Sequence, residues 1–128
     1  SNGKIYVNEV APRPHNSGHH SLDSCDFNQF DQQVLALTGT SLNNPKSITN
    51  AVMVNLLGDI WFRDGKLSLP NLDIFVGSTN EVLYLYGKSE ARPGRKMGHF
   101  TITGNDIEII LMRARKIKAS LSKNESEE

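Results

Sequence analysis

Ten residues near the start of the chain, APRPHNSGHH at positions 11–20, restrict its fold more than any other segment. Pro12 and Pro14 exclude the interior of a helix, and the glycine, serine and asparagine that follow are typical of a turn. The preceding residues 4–10 alternate and are rich in β-forming side chains, which predicts a strand. The following residues 22–38 have apolar side chains at helical spacing. The segment therefore predicts a strand, an irregular loop and a helix in succession.

The rest of the pattern adds strands and a closing helix. Ser21 is a suitable N-cap and Gly39 a suitable terminator for the helix over 22–38. The later predictions, in chain order, are a loop at 40–50, a buried strand at 51–57, a turn within 58–70, a short helix or strand at 71–78, strands at 81–86 and 97–103 around a loop at 87–96, and a helix from Asn105 to about residue 121. Asn105 and Glu108 have capping-box spacing, and the predicted apolar face of this helix consists of Ile107, Ile110, Leu111, Ala114, Ile117 and Leu121. The predicted fold class is α+β, with a disordered tail at 122–128.

Composition limits the classes of function. The chain has 128 residues, one cysteine, and 14 basic against 14 acidic residues, so its formal net charge is zero. Neutrality gives no support to general affinity for nucleic acid or for a membrane surface, and no apolar run approaches membrane-spanning length. The lone Cys25 favours a reducing, cytoplasmic location. Met53, Trp61 and Phe75 are predicted core residues. Since the chain starts at Ser1, we expect it to be part of a longer protein.

The loop and the strand end before it form the first candidate site. They supply the polar side chains Glu9, Arg13, His15, Asn16, His19 and His20. A carboxylate at a strand end can bind Mg²⁺, and an arginine can hold a carboxylate or phosphate. From composition alone, a Glu9–Arg13 ion pair with solvated histidines is the favoured interpretation. Zinc is not favoured, because no cysteine lies at ligand spacing and the loop has no helical HExxH motif.

The loop at 87–96 forms the second candidate site. Its cations are Lys88, Arg92, Arg95 and Lys96, accompanied by two glycines and a proline. Converging basic donors on a backbone that can approach a ligand suit a phosphomonoester. A solvated basic hairpin tip is the alternative, since runs of charge usually face water. Pro93 and the glycines favour a binding role, because a solvated tip needs no special backbone geometry.

Three segments resemble one enzyme family. VNEVAPRPHNSGHHSLD at 7–23, AVMVNLLG at 51–58 and YGKSEARPGRKMGH at 86–99 are similar, in that order, to the ATP-dependent carboxyaminoimidazole ribonucleotide synthetases. The resemblance implies that 4–38 is the last strand, catalytic loop and helix of an ATP-grasp region. It implies that 50–121 is a small β-rich C-terminal domain closed by a helix.

The resemblance also implies an activity. These ligases of purine (IMP) biosynthesis carboxylate 5-aminoimidazole ribonucleotide with ATP and bicarbonate, through carboxyphosphate, and they need Mg²⁺. The full-length enzyme is expected to be a homodimer. Carried over to matching positions, the roles are metal binding by Glu9, catalysis by Arg13, His15 and Asn16, and phosphate binding by Lys88 and Arg95, with Arg92 and Lys96 as weaker candidates.

Two alternatives stay open at this point. One is another purine-pathway ATP-grasp ligase of the glycinamide ribonucleotide transformylase type, although such enzymes usually have an acidic residue where Asn16 stands. The other is a non-catalytic phosphate-binding module. As a ligase fragment, the isolated chain is expected to be inactive, because the nucleotide-binding part of an ATP-grasp enzyme would lie upstream.

Overall fold

The computed structural model describes residues 3–122, and these form a mixed helix and sheet fold. The helices are α1 (Ser21–Ser24), α2 (Gln29–Leu37) and α3 (Ile107–Ser122). The strands are β1 (Asn50–Leu57), β2 (Phe62–Arg63), β3 (Lys66–Leu67), β4 (Glu81–Leu85) and β5 (Lys96–Gly104). Short 3-10 turns occur at Asn16–Gly18, Gly58–Trp61 and Asp73–Phe75. The predicted α+β class is confirmed. Residues 71–78, for which the sequence predicted either a short helix or a strand, contain the last of these 3-10 turns.

An antiparallel sheet in the order β1-β5-β4 is the scaffold. The central strand β5 pairs with both neighbours, which places His99 opposite Asn55 on one side and opposite Tyr84 on the other. The predicted hairpin of β4 and β5, with its long basic tip, is confirmed. Strands β2 and β3 form a second, two-residue hairpin, whose turn places Asp64 and Gly65 at φ 51° and 75°. Two positive φ values in succession favour glycine and aspartate in such a tight turn.

The core lies between one face of the sheet and α3. Side chains alternate along β5, so Phe100 and Ile102 join the core while His99 and Thr101 face the other way. From α3 the core receives Ile110, Ala114 and Ile117, three of the residues on the predicted apolar face. Ile107, predicted on the same face, is 45% exposed. The helix therefore buries a narrower stripe than its sequence predicts.

Of the predicted aromatic and methionine core residues, Trp61 and Phe75 are buried, and Met53 is partly buried. Helix α3 is described through Ser122, so the predicted tail is helical at its first residue. The remaining predicted disorder, at 123–128, lies outside the described residues.

The predicted N-cap of α3 is wrong by one residue. Asp106, not Asn105, caps the helix: its Oδ1 accepts from the backbone N–H of Glu108 at 2.9 Å and of Ile109 at 3.2 Å. The helix starts at Ile107, so Glu108 lies too early in the first turn to complete a capping box with Asn105. The backbone oxygen of Asn105 accepts from Asn50 Nδ2 instead, at 2.9 Å, which ties the helix entry to β1.

The predicted strand over 4–10 does not form within the described residues. Ile5, Val7 and Val10 are 98%, 91% and 87% exposed. A β-forming sequence needs a neighbouring strand to satisfy its backbone and cover its side chains, and no described strand pairs with this segment.

The single helix predicted over 22–38 is also wrong, because two helices occupy the region. Cys25 ends α1 and forms an isolated antiparallel bridge with Ser47. Asn28 then starts α2 with a capping box, its side chain accepting from Asp31 N while the Asp31 carboxylate accepts from Asn28 N. A residue with a strong cap preference inside an apolar pattern restarts the helix. The prediction of Gly39 just beyond the helix end is confirmed by its φ of 68°.

Candidate functional site

The loop over residues 11–20, here called the proline-histidine loop, is ordered by its own side chains. The 3-10 turn Asn16–Gly18 is capped by His15, whose Nδ1 accepts from Ser17 N at 3.3 Å and lies 2.9 Å from Ser17 Oγ. A backbone N–H can only donate, so Nδ1 is unprotonated and a neutral His15 ring has its proton on Nε2. His15 is exposed, which leaves that N–H as an available donor.

Asn16 has a half-buried side chain in the same turn. Its Oδ1 is inaccessible to solvent and has no hydrogen-bond partner within the described residues. Buried polar atoms in folded proteins are nearly always paired, so such an atom identifies a place where a further donor would be favourable.

Glu9 and Arg13 lie at the open end of the loop. Both are exposed, and Arg13 Nη1 donates to the Pro14 carbonyl at 3.2 Å. Across residues 3–122 the ion pairs are Glu90–Arg92 and Glu81–Arg113, so the ordinary Glu9–Arg13 ion pair that composition favoured is not formed.

The second predicted segment, residues 87–96, is here called the basic tip. Arg92 Nη2 pairs with Glu90 Oε2 at 2.6 Å, and this hydrogen bond lowers the pKa of the Glu90 carboxyl. By contrast, Lys88 Nζ donates to the Lys96 carbonyl, and Arg95 Nη1 donates to the Glu90 carbonyl at 2.8 Å. Lys88 and Arg95 are thus bound by neutral acceptors, and neither forms an ion pair in the described chain, although the charge of Arg95 also contributes to lowering the pKa of Glu90.

The basic tip is held by the end of β1. Gly58 N donates to the Arg95 carbonyl at 2.8 Å, and Gly94 N donates to Asp59 Oδ2 at 2.8 Å. A Cβ on Gly58 would lie 2.1 Å from the Arg92 carbonyl oxygen, so only glycine permits this approach. The sequence predicted a turn at these residues and missed that they fix the tip.

An aromatic cluster joins the loop to the sheet. It comprises His19 from the loop, Tyr84 and His99 from facing strands, and Tyr86 just after β4. The ring of His99 stacks on His19 at 5.1 Å and on Tyr84 at 4.7 Å between centroids. Tyr86 Oη lies 2.8 Å from His99 Nδ1, and Tyr84 Oη donates to Asp23 Oδ1 of α1 at 2.7 Å. These contacts seat the loop and α1 on the sheet face opposite α3.

The cluster is uncharged near neutral pH. Burial, and then the charge of Lys96 and of His15, lower the pKa of His19. Burial and the neighbouring His19 lower the pKa of His99, against an opposing effect of Asp23. Burial and the bond to Asp23 raise the pKa of Tyr84 to about 12. His19, which belongs to the proline-histidine loop, thus lies within electrostatic reach of His15 in the same loop and of Lys96 at the end of the basic tip.

Of the predicted site residues, the structure places His15 and Lys96 within electrostatic range of His19, and it adds others around that ring. Glu9 lies on an exposed segment. Sequence reasoning missed Tyr84, His99 and Asp23. The alternation of side chains along β5 gave a signal, because it places His99 on the face opposite Phe100. That this polar face is buried could not be predicted, because the segment that covers it is distant in the sequence.

Two family descriptions match the chain. Residues 51–113 match the phosphoribosylaminoimidazole carboxylase C-terminal domain, and residues 1–30 match the ATP-grasp domain. The chain belongs to the N5-carboxyaminoimidazole ribonucleotide synthetase family. The synthase of Staphylococcus aureus (strain COL) is 47% identical over 112 residues, which is 84% of this chain and 27% of that protein. The chain thus spans about a quarter of the length of the curated relatives it matches.

Solved synthetase structures have the same fold over this region. The enzyme from Thermotoga maritima aligns with a TM-score of 0.78 and 42% identity, covering 91% of this chain and 32% of that one. The S. aureus enzyme complexed with ADP aligns with a TM-score of 0.71 and 41% identity, covering 94% and 30%. The family resemblance inferred from the three sequence segments is therefore confirmed.

Residues 3–122 contain no group of three or more histidine, cysteine, aspartate or glutamate side chains arranged to hold a metal ion. Mg²⁺ needs only one or two carboxylates when phosphate oxygens and water complete its shell. The exposed Glu9 fits one such ligand and does not form a site alone. In the same described region, the helices lack the length and the apolar run that crossing a bilayer would require.

Proposed function

We propose that this sequence supplies the ribonucleotide-binding part and the carboxyl-transfer loop of a ligase that carboxylates 5-aminoimidazole ribonucleotide with ATP and bicarbonate. The names of the synthetase relatives support the product, and the match of the first 30 residues to the ATP-grasp domain supports the use of ATP. The proposed activity is a step of de novo purine biosynthesis.

The observation that carries the proposal is the position of His19. Its ring is influenced electrostatically by Lys96 of the basic tip and His15 of the proline-histidine loop, and it stacks on His99 of the sheet. A phosphate held at the tip would place the rest of a ribonucleotide near the loop. Such positioning is a large part of catalysis between two reactants.

The basic tip is proposed to bind the 5′-phosphate. Lys88 and Arg95 are not in ion pairs in the described chain, so a phosphate would gain two charge-assisted contacts there. Arg92 and Lys96 have a smaller part, because Arg92 is already paired with Glu90 and Lys96 contributes its carbonyl to hold Lys88.

The proline-histidine loop is proposed to act on the reacting groups. The exposed guanidinium of Arg13 offers a planar pair of donors for carboxyphosphate or carbonate. The Nε2–H of His15 donates to the same anion. Asn16 Oδ1 is buried and unpaired in the described chain, so we propose that it accepts from the amine of the aminoimidazole once substrate binding rearranges the turn and exposes it. Fixed donors around a developing anion lower the barrier of such a transfer.

Glu9 is proposed as one Mg²⁺ ligand in the ATP-dependent reaction. The chemistry that such an ion supplies when bound is neutralisation of charge on the transferring phosphoryl group. We extend the proposal to a homodimeric, cytoplasmic enzyme, for which the family resemblance and the single cysteine are the support.

The test is a chimaera of the S. aureus synthase in which this sequence replaces the 112 aligned residues. We expect ATP- and bicarbonate-dependent consumption of 5-aminoimidazole ribonucleotide, lost in Arg13→Ala, and no turnover by the 128-residue chain alone. A folded chimaera that is inactive would contradict the proposal. Activity with formate and glycinamide ribonucleotide in place of the expected substrates would show that the chain comes from a ligase of the glycinamide ribonucleotide transformylase type.

A further inference from the structure

The side chain of Gln29 bridges two parts of the proline-histidine loop. It is the first residue of α2, and its Oε1 accepts from the backbone N–H of His15 at 2.9 Å. Its Nε2 lies 2.7 Å from His19 Nδ1. The amide therefore connects the backbone of one predicted catalytic residue with the ring that stacks on the sheet.

The hydrogen-bond chemistry leaves one orientation for this amide. The His15 N–H can only donate, so it requires the amide oxygen, and the amide nitrogen can then only donate to His19 Nδ1. A neutral His19 ring, with its proton on Nε2, matches this arrangement. An apolar side chain can make neither bond, and a carboxylate can make both only if His19 carries its proton on Nδ1.

Gly18 gives an independent indication of the same contact. A Cβ at this position would lie 2.5 Å from Gln29 Oε1 and 2.8 Å from Gln29 Cδ. Gly18 is not among the residues with positive φ, so an L side chain would meet no backbone strain there. The missing side chain makes room for the amide of Gln29.

The backbone of Gln29 is fixed as well. Its N–H donates to Ser21 Oγ at 3.1 Å, and that hydroxyl donates to the Gly18 carbonyl at 2.5 Å. Ser21 is buried, so these bonds are shielded from water. The start of α2 is thereby attached to the loop by two direct bonds, to His15 and His19, and by a third that runs through Ser21 to Gly18.

We propose that Gln29 is a positioning residue for the ligase reaction, holding His15 at a fixed place relative to the basic tip through its bond to His19. This inference rests on the proposed function for its catalytic consequence. Its structural part, the placement of the loop by the amide, concerns the chain alone.

The structural part is tested by NMR on the ¹⁵N-labelled 128-residue chain with Gln29→Leu. We expect amide exchange of His15 to accelerate about tenfold, as for loss of one hydrogen bond, and the His19 Nδ1 resonance to shift. Gln33→Leu is the matched control, because Gln33 lies one turn further along the same helix, is exposed, and makes no side-chain hydrogen bond in the described chain. Unchanged His15 and His19 signals in Gln29→Leu would overturn the proposal, whatever the enzyme assay shows.

The catalytic part is tested in the chimaera. For Gln29→Leu we expect kcat to fall by about 100-fold, since a small misplacement of a reacting group has effects of that size. The KM for the ribonucleotide should change by less than about twofold, because the substitution leaves the basic tip, the proposed phosphate site, intact. A fall in kcat without a rise in KM indicates lost positioning and not lost substrate binding. Gln29→Glu, which keeps the acceptor for His15 and loses the donor to His19, should lie between Gln29→Leu and wild type.

Gly18→Ala keeps the test decisive if Gln29→Leu does not fold. This change displaces the amide without removing it, so kcat should fall while KM is retained. Added to Gln29→Leu, it should have no further effect, because both changes break the same contact. Wild-type kcat in a folded Gly18→Ala or Gln29→Leu enzyme would overturn the proposal. An inactive wild-type chimaera would contradict the proposed function instead, and the NMR result would still decide the placement of the loop.

Discussion

The sheet unit, residues 50–122, and the segment before it, residues 3–37, are stabilised in different ways. The sheet unit encloses a hydrophobic core in which Phe100 and Ile117 are 0% exposed. In the earlier segment the only buried residues are Ser21 and Ser24, and α2 buries none of its residues. One unit therefore contains its own core, while the other is attached to it.

The attachment is polar and aromatic. It includes the stacking of His19 on His99, the edge contact of His19 with Tyr86 and the bond from Tyr84 to Asp23. Contacts of this kind fix orientation more than they add stability, since a hydrogen bond contributes about 0.5–1.5 kcal/mol net. From the comparison we infer that the predicted catalytic loop depends on the sheet for its position, and we expect the sheet unit, which has a core of its own, to fold without the loop.

The largest effect should come from truncating the core of the sheet unit. Phe100→Ala removes a fully buried ring that packs 5.2 Å from Phe75 between centroids. We expect a loss of about 3–5 kcal/mol in the free energy of unfolding, measured by urea denaturation. The control Ile5→Ala, at a side chain 98% exposed, should stay within about 0.5 kcal/mol of wild type. Similar losses for the two variants would abolish the distinction between the regions.

The next effect concerns binding at the basic tip. In the chimaera, Lys88→Ala should raise the KM for the ribonucleotide by about 10- to 100-fold, since a charge-assisted hydrogen bond is worth about 1.5–3 kcal/mol. Arg92→Ala is the matched control, because its charge is already paired with Glu90. We expect it to have the smaller effect on KM, and an equal or larger effect would show that the unpaired charge of Lys88 has no special role.

A smaller effect distinguishes the two capped helices. Asp106→Ala removes the cap of α3, which packs on the core, and should lower the global free energy of unfolding by about 1 kcal/mol. Asn28→Ala removes the cap of α2, which buries no residue. We expect that variant to retain the global stability while amide exchange within α2 accelerates. A global loss from Asn28→Ala equal to that from Asp106→Ala would mean that α2 belongs to the same cooperative unit as the core.

The smallest expected effect is the dependence of stability on pH. Burial lowers the pKa of His19 and of His99 below the usual 6.5, so both are neutral in the folded chain while the unfolded chain takes up protons near that pH. The stability they contribute is therefore complete above pH 6.5 and is lost as the pH falls through the folded-state pKa values. Thermal melts from neutral to acidic pH should show this loss, with a weaker dependence in His99→Gln. An unchanged dependence in that variant would contradict the assignment.

The sheet unit was largely predictable from the sequence because its residues satisfy local rules. The strand at 51–57, the hairpin around the basic tip and the closing helix follow from periodicity and turn residues that act within a few positions. The strand at 4–10 was predicted by the same rules and is absent, because strand formation depends on a partner that the local sequence does not contain. The interruption of the first helix depends on the capping residue Asn28, whose preference competed with an apolar pattern.

The candidate site was predictable in part. The types of residue in the loop and in the tip indicated anion chemistry, and the family resemblance suggested their roles. The positions of these residues relative to one another depend on pairing across strands, which aligns Tyr84 with His99, and on the contact of His99 with His19 from a distant segment. Such long-range relations are not encoded in any local pattern, so His99 and Gln29 were not expected.

Hydrogen exchange on the ¹⁵N-labelled chain tests the central claim most directly. We predict that the amides of β5 exchange only on global unfolding, that those of 16–25 exchange at an intermediate rate, and that those of 4–10 exchange fast. Tyr84→Phe, which removes the bond to Asp23, should accelerate exchange at 16–25 and leave β5 unchanged. Protection at 4–10 equal to that of β5, or exchange at 16–25 that is as fast as at 4–10, would contradict the view that the sheet positions the loop.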